Sequence, residues 1–396
     1  MSLSRTQQGL LLLSLLTVAI GQSLVFAILA PLGREVNMSE LQITSIIATS
    51  ALIFGVISPK WGRYSDHRGR KPVILIGLLG YTVGIVVFAS VFQSGLMGLL
   101  AGLPLYLGII LARCSQSAIM AATVPACTAY AADLTAPEQR IKAMGRLGGA
   151  NSLGMILGPA VSGALATLGL LAPLYFAGLL TAIAALVVYL KLPSIPAVSR
   201  KSHAPRARLK YTDPRVIRFL AGAIGLFTGF SSIQLTLGFS IQDKLQLNGI
   251  ETAQMTGAAL MIAAIFSFIS QWFLVQRLKL TPEQFILCGL VALLLAAGFI
   301  GSFATFAHLG VGMAFMGLGL GMAMPSVSAA ASLAVTPQEQ GAIAGLVASC
   351  PAIGFIAGPV IGGLLYRLGP GYPSILSGLV FVVVFVLLIL SRGKHR

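Results

Sequence analysis

The chain has 396 residues, of which 57% are hydrophobic and only 9% charged, where a typical soluble domain carries about 25% charged residues. So few charged side chains cannot cover a water-soluble globule of this size, which argues against a soluble enzyme, a nucleic-acid binder, a secreted disulfide scaffold and a disordered chain. The net charge of +16 would suggest nucleic acid in a soluble protein, but here the basic residues fall in the gaps between apolar runs and report topology.

A helix needs roughly 20 apolar residues to cross a hydrocarbon core of about 30 Å. Runs of that kind lie near 9–32, 41–60, 72–92, 104–131, 141–168 and 172–191. After a polar gap they resume near 216–242, 252–276, 283–304, 308–333, 340–366 and 371–391. The chain therefore reads as an all-α integral membrane protein with twelve spans. Segment 93–103 can extend either of its neighbours. The first run follows Arg5 and continues to about Leu32 without an early small-residue cleavage site, so it reads as a span and not as a signal peptide. Ser39 with Gln42, Thr135 with Glu138, Thr281 with Gln284 and Thr336 with Glu339 have the spacing of capping boxes. Pro282 and Pro337 stand at first helical positions, where a missing N–H costs nothing.

With the N-terminus inside, 22 Lys and Arg residues fall on the cytoplasmic side and three, Arg34, Lys244 and Arg367, on the other. That asymmetry predicts a cytoplasmic (inner) membrane protein with both termini cytoplasmic. Trp61 and Trp272 fall at the cytoplasmic ends of spans 2 and 8, where an amphipathic ring suits the interface. Cys114, Cys127, Cys288 and Cys350 lie in apolar runs without metal-ligand spacing and read as small buried hydrophobes. The four histidines, His67, His203, His308 and His395, fall in loops or tails. With no nucleophile elbow, phosphate loop or metal set, the sequence predicts no catalytic residue, no metal and no cofactor.

Residues 193–214 are polar, basic and Pro-containing, and read as a cytoplasmic linker between six-span bundles at 1–192 and 215–396. At an offset of 200 residues Pro125 pairs with Pro325, Pro137 with Pro337 and Gly145 with Gly345. Gly154 then pairs with Gly354, Gly158 with Gly358, Pro159 with Pro359 and Gly163 with Gly363. The halves are duplicated. A parallel six-plus-six repeat resembles the major facilitator superfamily, whose two pseudo-symmetric bundles rock around a midplane site.

Shorter motifs carry the same resemblance. The turn between spans 2 and 3 holds Gly62, Asp66, Gly69, Arg70 and Lys71 in the superfamily's order G-x-x-x-D-x-x-G-R-[RK]. Glycines allow a tight turn, a carboxylate suits a helix N-terminus, and a guanidinium holds a carboxylate bidentately. The resemblance implies a conformational latch in which Asp66 contacts the start of span 11 and Arg70 pairs with an acid at the end of span 4, here Asp133. The corresponding turn of the second half, around Gln271 to Pro282, lacks the pattern, so one latch is expected.

Span 5 carries Gly154, Gly158, Pro159 and Gly163 in an order similar to the antiporter motif G-x-x-x-G-P-x-x-G-G, departing from it at Ser162. Span 11 has it in full, from Gly354 through Gly358 and Pro359 to Gly363. Small residues every four positions serve close helix packing and the proline a bend. The resemblance further implies a drug/proton antiporter rather than a sugar importer.

Span 4 carries Arg113 and Gln116 in a segment similar to the family's R-x-x-Q-G-x-G, with Ser117 in place of the first Gly. An intramembrane Arg costs about 2.5 kcal/mol or more and is a functional candidate by default. Arg113 lies about nine residues into the span, or about 14 Å deep, near the midplane. Gln22, Asn151 and Gln234 have comparable depth, with Phe26, Phe227 and Phe230 as an aromatic wall. Together these eight residues form the candidate substrate site. The methionines of span 10 read as core filler.

All ten acids lie outside the middles of the spans, so no buried carboxylate is placed to exchange a proton for a cationic drug. A guanidinium keeps its proton, which leaves the substrate or Asp133 to carry a coupling proton. The expected function is a secondary transporter exporting a small amphipathic molecule by proton-coupled antiport, as in multidrug or metabolite efflux. The alternatives are a dedicated exporter of an anionic metabolite such as a carboxylate siderophore, and an importer of the same fold. The expected partners are a small-molecule substrate, a proton and membrane lipid, with no nucleic acid, and the chain is expected to be a monomer.

Overall fold

The computed structural model describes residues 4–135, 137–194, 209–336 and 339–392. Among them are twelve helices long and apolar enough to cross a membrane. In the first half these are α1 (Arg5–Glu35), α2 (Glu40–Arg68), α3 (Arg70–Leu96), α4 (Gly102–Leu134), α5 (Pro137–Leu165) and α6 (Ala172–Lys191). The second half supplies α7 (Ile217–Leu245), α8 (Gly249–Arg277), α9 (Pro282–Ser302), α10 (Phe306–Leu333), α11 (Gln340–Tyr366) and α12 (Tyr372–Arg392). The chain is a multi-pass membrane protein.

Several helices outrun their apolar runs, because a capped backbone stays helical into polar sequence. The capping boxes at Ser39 and Thr281 form with both bonds, and Ser4 with Gln7 supplies another. Thr135 instead donates its hydroxyl to the Ala131 carbonyl at 2.7 Å, while the Glu138 side chain and Pro337 lie outside the described residues. Thr336 gives its amide and hydroxyl to the Glu339 carboxylate, at 3.0 and 2.9 Å. The ambiguous segment 93–103 divides at Leu96, with a turn before α4 begins at Gly102. α4 is interrupted at Ala121 and Ala122. Pro125 causes the break, since it lacks an N–H and its ring crowds the carbonyl four residues back. α8 contains a π-helical turn, Ser270–Leu274, just before its last residues Val275–Arg277.

The chain divides into two compact units. One comprises Met1–Gln42, Thr49–Ser202 and Asn248–Gly257; the other comprises Ile43–Ala48, His203–Leu247 and Ala258–Arg396. Most of the expected linker, residues 195–208, lies outside the described residues. In the first unit α1 packs on α5 and α6, and α3 packs on α4 and α6. The second unit repeats the scheme, with α7 on α11 and α12 and α9 on α10 and α12. The duplication extends to single bonds. Ser23 donates its hydroxyl to the Gly154 carbonyl at 3.1 Å, and Ser231 donates to the Gly354 carbonyl at 2.9 Å.

Large apolar side chains cover the outer faces, among them Leu103, Leu107 and Leu111 of α4 and Leu179, Leu186 and Leu190 of α6. Such belts suit lipid, where helices satisfy their own backbone. The cysteines follow this division and correct the sequence expectation. Cys127 and Cys350 are buried, Cys114 is half-buried and Cys288 is exposed. Cys288 shares the outer stripe of α9 with Val291 and Leu295, and an apolar run does not reveal which of its faces meets protein and which meets lipid. Met313, Met316 and Met322 are buried in α10, with Met324 half-buried.

Candidate functional site

The turn between α2 and α3 is built around Gly69, whose φ of +90° ends one helix and starts the next. A side chain is strained at that angle, so glycine is required there. The turn delivers Arg70 to two carboxylates. Its Nε lies 2.9 Å from Asp133 Oδ2 at the end of α4, and its Nη1 lies 2.6 Å from Asp66 Oδ1. Nη1 also donates to Ser65 Oγ at 2.6 Å, and Ser65 in turn donates to the Gly62 carbonyl at 2.7 Å. Arg70 and Asp133 keep only 12% and 9% of their side-chain exposure, whereas Asp66 keeps 51%. The inner pair is therefore the stronger of the two, because solvent screens it less. Lys71 donates to the Tyr189 carbonyl of α6 at 2.8 Å.

Elsewhere in the second unit, ion pairs join the start of α7 to the starts of α9 and α11. Arg215 clasps both oxygens of Glu339, at 2.9 and 3.0 Å, and both oxygens of Asp213. Arg218 pairs with Glu283 at 3.3 Å. The Arg215 guanidinium and the Thr336 bonds hold the Glu339 carboxyl down to about 2, and Asp213 is lowered by the same guanidinium.

Within the membrane span, Arg113 and Gln116 are placed by the seam between α3 and α4. Gly77, Gly80 and Gly84 line α3 against Thr123, Ile119 and Gln116, so the helices approach closely. Arg113 is 3% exposed and Gln116 1%. Arg113 Nη1 donates to Gln116 Oε1 at 2.7 Å, and the guanidinium carbon lies 5.7 Å from the Phe88 ring centroid. No carboxylate pairs with Arg113 among the described residues. Sequence reasoning missed Tyr81 and Phe88, both fully buried on this face of α3. Their seven-residue spacing beside the glycine stripe was the available signal.

The other expected site residues fall into separate groups. Gln22 and Phe26 are half-buried on α1, and Asn151 is half-buried on α5. Neither Gln22 nor Asn151 bonds to Arg113 among the described residues. On α7, Gln234 is buried while Phe227 and Phe230 are half-buried. These two rings meet Phe355 of α11 at 6.4 and 6.3 Å between centroids, so Phe355 belongs with the aromatic wall although it was not expected there.

The antiporter-like motif residues are packing surfaces. Gly154 lies against Leu16 and Ala19 of α1, and Gly158 against Ile20 and Ser23. Gly354 and Gly358 face Phe227, Thr228 and Ser231 of α7 in the same way. Within the first unit Gly163 rests on the Gln254 backbone and the Pro159 carbonyl on Gly257; within the second, Gly363 rests on Thr44. Pro359 is buried on α11 beside Gly358.

Duplicated six-helix packing and a charged α2–α3 turn define a transporter rather than an enzyme. The chain matches the Major Facilitator Superfamily over residues 11–350 and 279–396 and belongs to that family, whose members carry small-molecule substrates. Multidrug resistance protein 2 of Bacillus subtilis (strain 168) is 28% identical over 98% of this chain and 96% of its own length. Tetracycline resistance protein, class B, of Escherichia coli is 27% identical over 93% and 92%. Among solved structures, the nucleoside transporter NupG matches with a TM-score of 0.76 at 15% identity, over 99% of this chain and 100% of that one. The human organic anion transporter MFSD10 (TETRAN) matches with a TM-score of 0.65 at 21% identity, over 97% and 99%. Both likenesses concern the fold alone.

Proposed function

We propose that this protein exports a small amphipathic molecule across the cytoplasmic membrane by alternating access, in exchange for protons. The observation that carries the reading is Arg113, a cation sealed in the middle of α4 with an amide and an aromatic face as its partners among the described residues. A charge that costly to bury is kept for function. Export is supported by the antiporter-like motif in α5 and its repeat in α11, and by relatives named for multidrug and tetracycline resistance.

In this reading the bundles 1–192 and 215–396 rock about the substrate, joined by a cytoplasmic linker at 193–214. The 22-to-3 distribution of basic residues supports a cytoplasmic position for both termini. Arg70, Asp66 and Asp133 form a contact that favours one of the two states, and a charge-assisted contact of this kind contributes about 1.5–3 kcal/mol. Gln116, Gln22, Asn151 and Gln234 offer hydrogen bonds to the substrate, with Phe26, Phe227 and Phe230 as apolar walls. The working unit is a monomer.

A second reading, a dedicated exporter of an anionic metabolite, is favoured by the same guanidinium, because no acid among the described residues neutralises it. Everted membrane vesicles from an exporter-deficient strain separate the readings. With the vesicle interior acidified, a panel of anionic, neutral and cationic amphipathic compounds is offered outside. An exporter accumulates its substrate until nigericin collapses the gradient, and an importer does not.

A further inference from the structure

Six buried side-chain polar atoms of the first unit have no hydrogen-bond partner among the described residues, and three of them belong to Arg113 and its neighbours on the α3–α4 seam. These three are Tyr81 Oη, Arg113 Nε and Gln116 Nε2, in residues that are 0%, 3% and 1% exposed. Native interiors pair nearly all such groups, so three orphans together are an anomaly with a direction. We propose that these groups form one anion-binding point, with Tyr81 as the third donor, that takes a carboxylate group on the substrate. The proposal rests on the reading of Arg113 as the charge of the transport site.

The placement follows from the α3–α4 seam. Gly84 packs on the Cβ and Cγ of Gln116, and Phe88, one turn further, lies under the Arg113 guanidinium. Tyr81 lies one turn the other way on the same face of α3. The orientation of the Gln116 amide is fixed by its neighbour. A guanidinium can only donate, so Oε1 must face Arg113 Nη1, which leaves Nε2 as an unused donor. Tyr81 is positioned by α1. A Cβ on Gly21 would stand 2.6 Å from the Tyr81 ring carbon that bears the hydroxyl, so this glycine is what lets the phenol reach the cluster.

The ligand chemistry is set by what is missing. The cluster offers three donors and one fixed positive charge, and its one strong acceptor, Gln116 Oε1, is already engaged. A carboxylate brings a single negative charge and about four acceptor sites in one plane. It satisfies the three donors together and neutralises Arg113. An ammonium group meets a like charge there with only the Tyr81 hydroxyl oxygen to accept from it, and a neutral amide leaves Arg113 uncompensated. The Phe88 face stabilises the cation without competing for the donors.

Benzoate, benzamide and benzylammonium are the probes. Binding to the purified full-length protein is read by thermal unfolding at constant ionic strength and by equilibrium titration. The wild type should bind benzoate and discriminate against the other two. Tyr81→Phe should unfold no earlier than wild type without ligand, because it removes an unpaired hydroxyl and keeps the ring. Its affinity for benzoate should fall about tenfold or more. That split between stability and affinity is one a packing role does not produce. Benzoate binding by Tyr81→Phe at wild-type strength overturns the role of Tyr81. If Arg113→Ala then loses benzoate, the reading of Arg113 stands alone; if Arg113→Ala retains it as well, or if wild type does not prefer benzoate, the anion site itself is overturned.

Discussion

The Arg70 guanidinium and the Asp133 carboxylate meet at 2.9 Å and join the first turn of α3 to the end of α4. Both side chains are largely withdrawn from solvent, and the turn that presents Arg70 depends on the positive φ of Gly69. Local backbone geometry, ion pairing and a motif visible in sequence thus converge on one contact.

Removing either partner leaves the other charge partly buried. Arg70→Ala and Asp133→Asn should each insert normally and lower the initial transport rate about tenfold, as expected for a charge-assisted contact of about 1.5–3 kcal/mol. Asp66→Asn should cost less, since Asp66 is half exposed. Rates at matched membrane levels check the order.

Close approach of α5 to α1 depends on Gly158. A Cβ there would stand 2.6 Å from the Ile20 carbonyl oxygen, a backbone atom that cannot swing away. Gly158→Ala should destabilise the protein by about 1–3 kcal/mol, the range for overpacking. Gly149→Ala on the same helix meets nothing within 4 Å and should unfold with wild type or slightly later. Thermal unfolding in one detergent compares the two.

Acid should loosen the start of α11. The carboxyl of Glu339 is held down to about 2 from its usual 4.5, chiefly by Arg215. A depressed carboxyl contributes stability above its unfolded value and loses that contribution as pH falls through the folded one. The difference in unfolding temperature between wild type and Glu339→Gln should therefore shrink from about pH 4.5 down to about 2. A difference that stays constant across this window would remove the ion pair from the account. The effect should be small, because the site lies at the surface.

The two tryptophans sit in unlike surroundings. Trp61 donates its indole N–H to the Ala118 carbonyl at 2.7 Å, whereas Trp272 is 56% exposed and stacked on Phe268. Brominated lipid should quench Trp61→Phe, which retains Trp272, more strongly than Trp272→Phe. Equal quenching would contradict the exposed placement of Trp272.

The twelve spans are legible in sequence because lipid demands long apolar runs, and the repeat is legible because Gly and Pro mark helix crossings. Arg70 is legible through one compact motif, and Asp133 through the family resemblance that pairs an acid at the end of span 4 with it. Tyr81 and Phe355 are not. A lone tyrosine in an apolar run looks like any membrane aromatic, and Phe355 follows Gly354 at a position where the motif accepts any residue. Only packing shows that the Tyr81 hydroxyl has no partner among the described residues, and that Phe227 and Phe230 share one ring as neighbour. The outward face of Cys288 is likewise a product of tertiary geometry.

Uptake by acid-interior everted vesicles tests Arg113 most directly, with 2-naphthoate, its amide and the permanently charged naphthylmethyl-trimethylammonium ion offered to wild type, Arg113→Lys and Arg113→Ala. The account predicts gradient-dependent accumulation of the carboxylate by wild type, a weakened signal in Arg113→Lys, which keeps the charge but loses the fork of donors, and none in Arg113→Ala. Accumulation of the ammonium compound in preference to the carboxylate, at the same rate in wild type and Arg113→Ala, would contradict it.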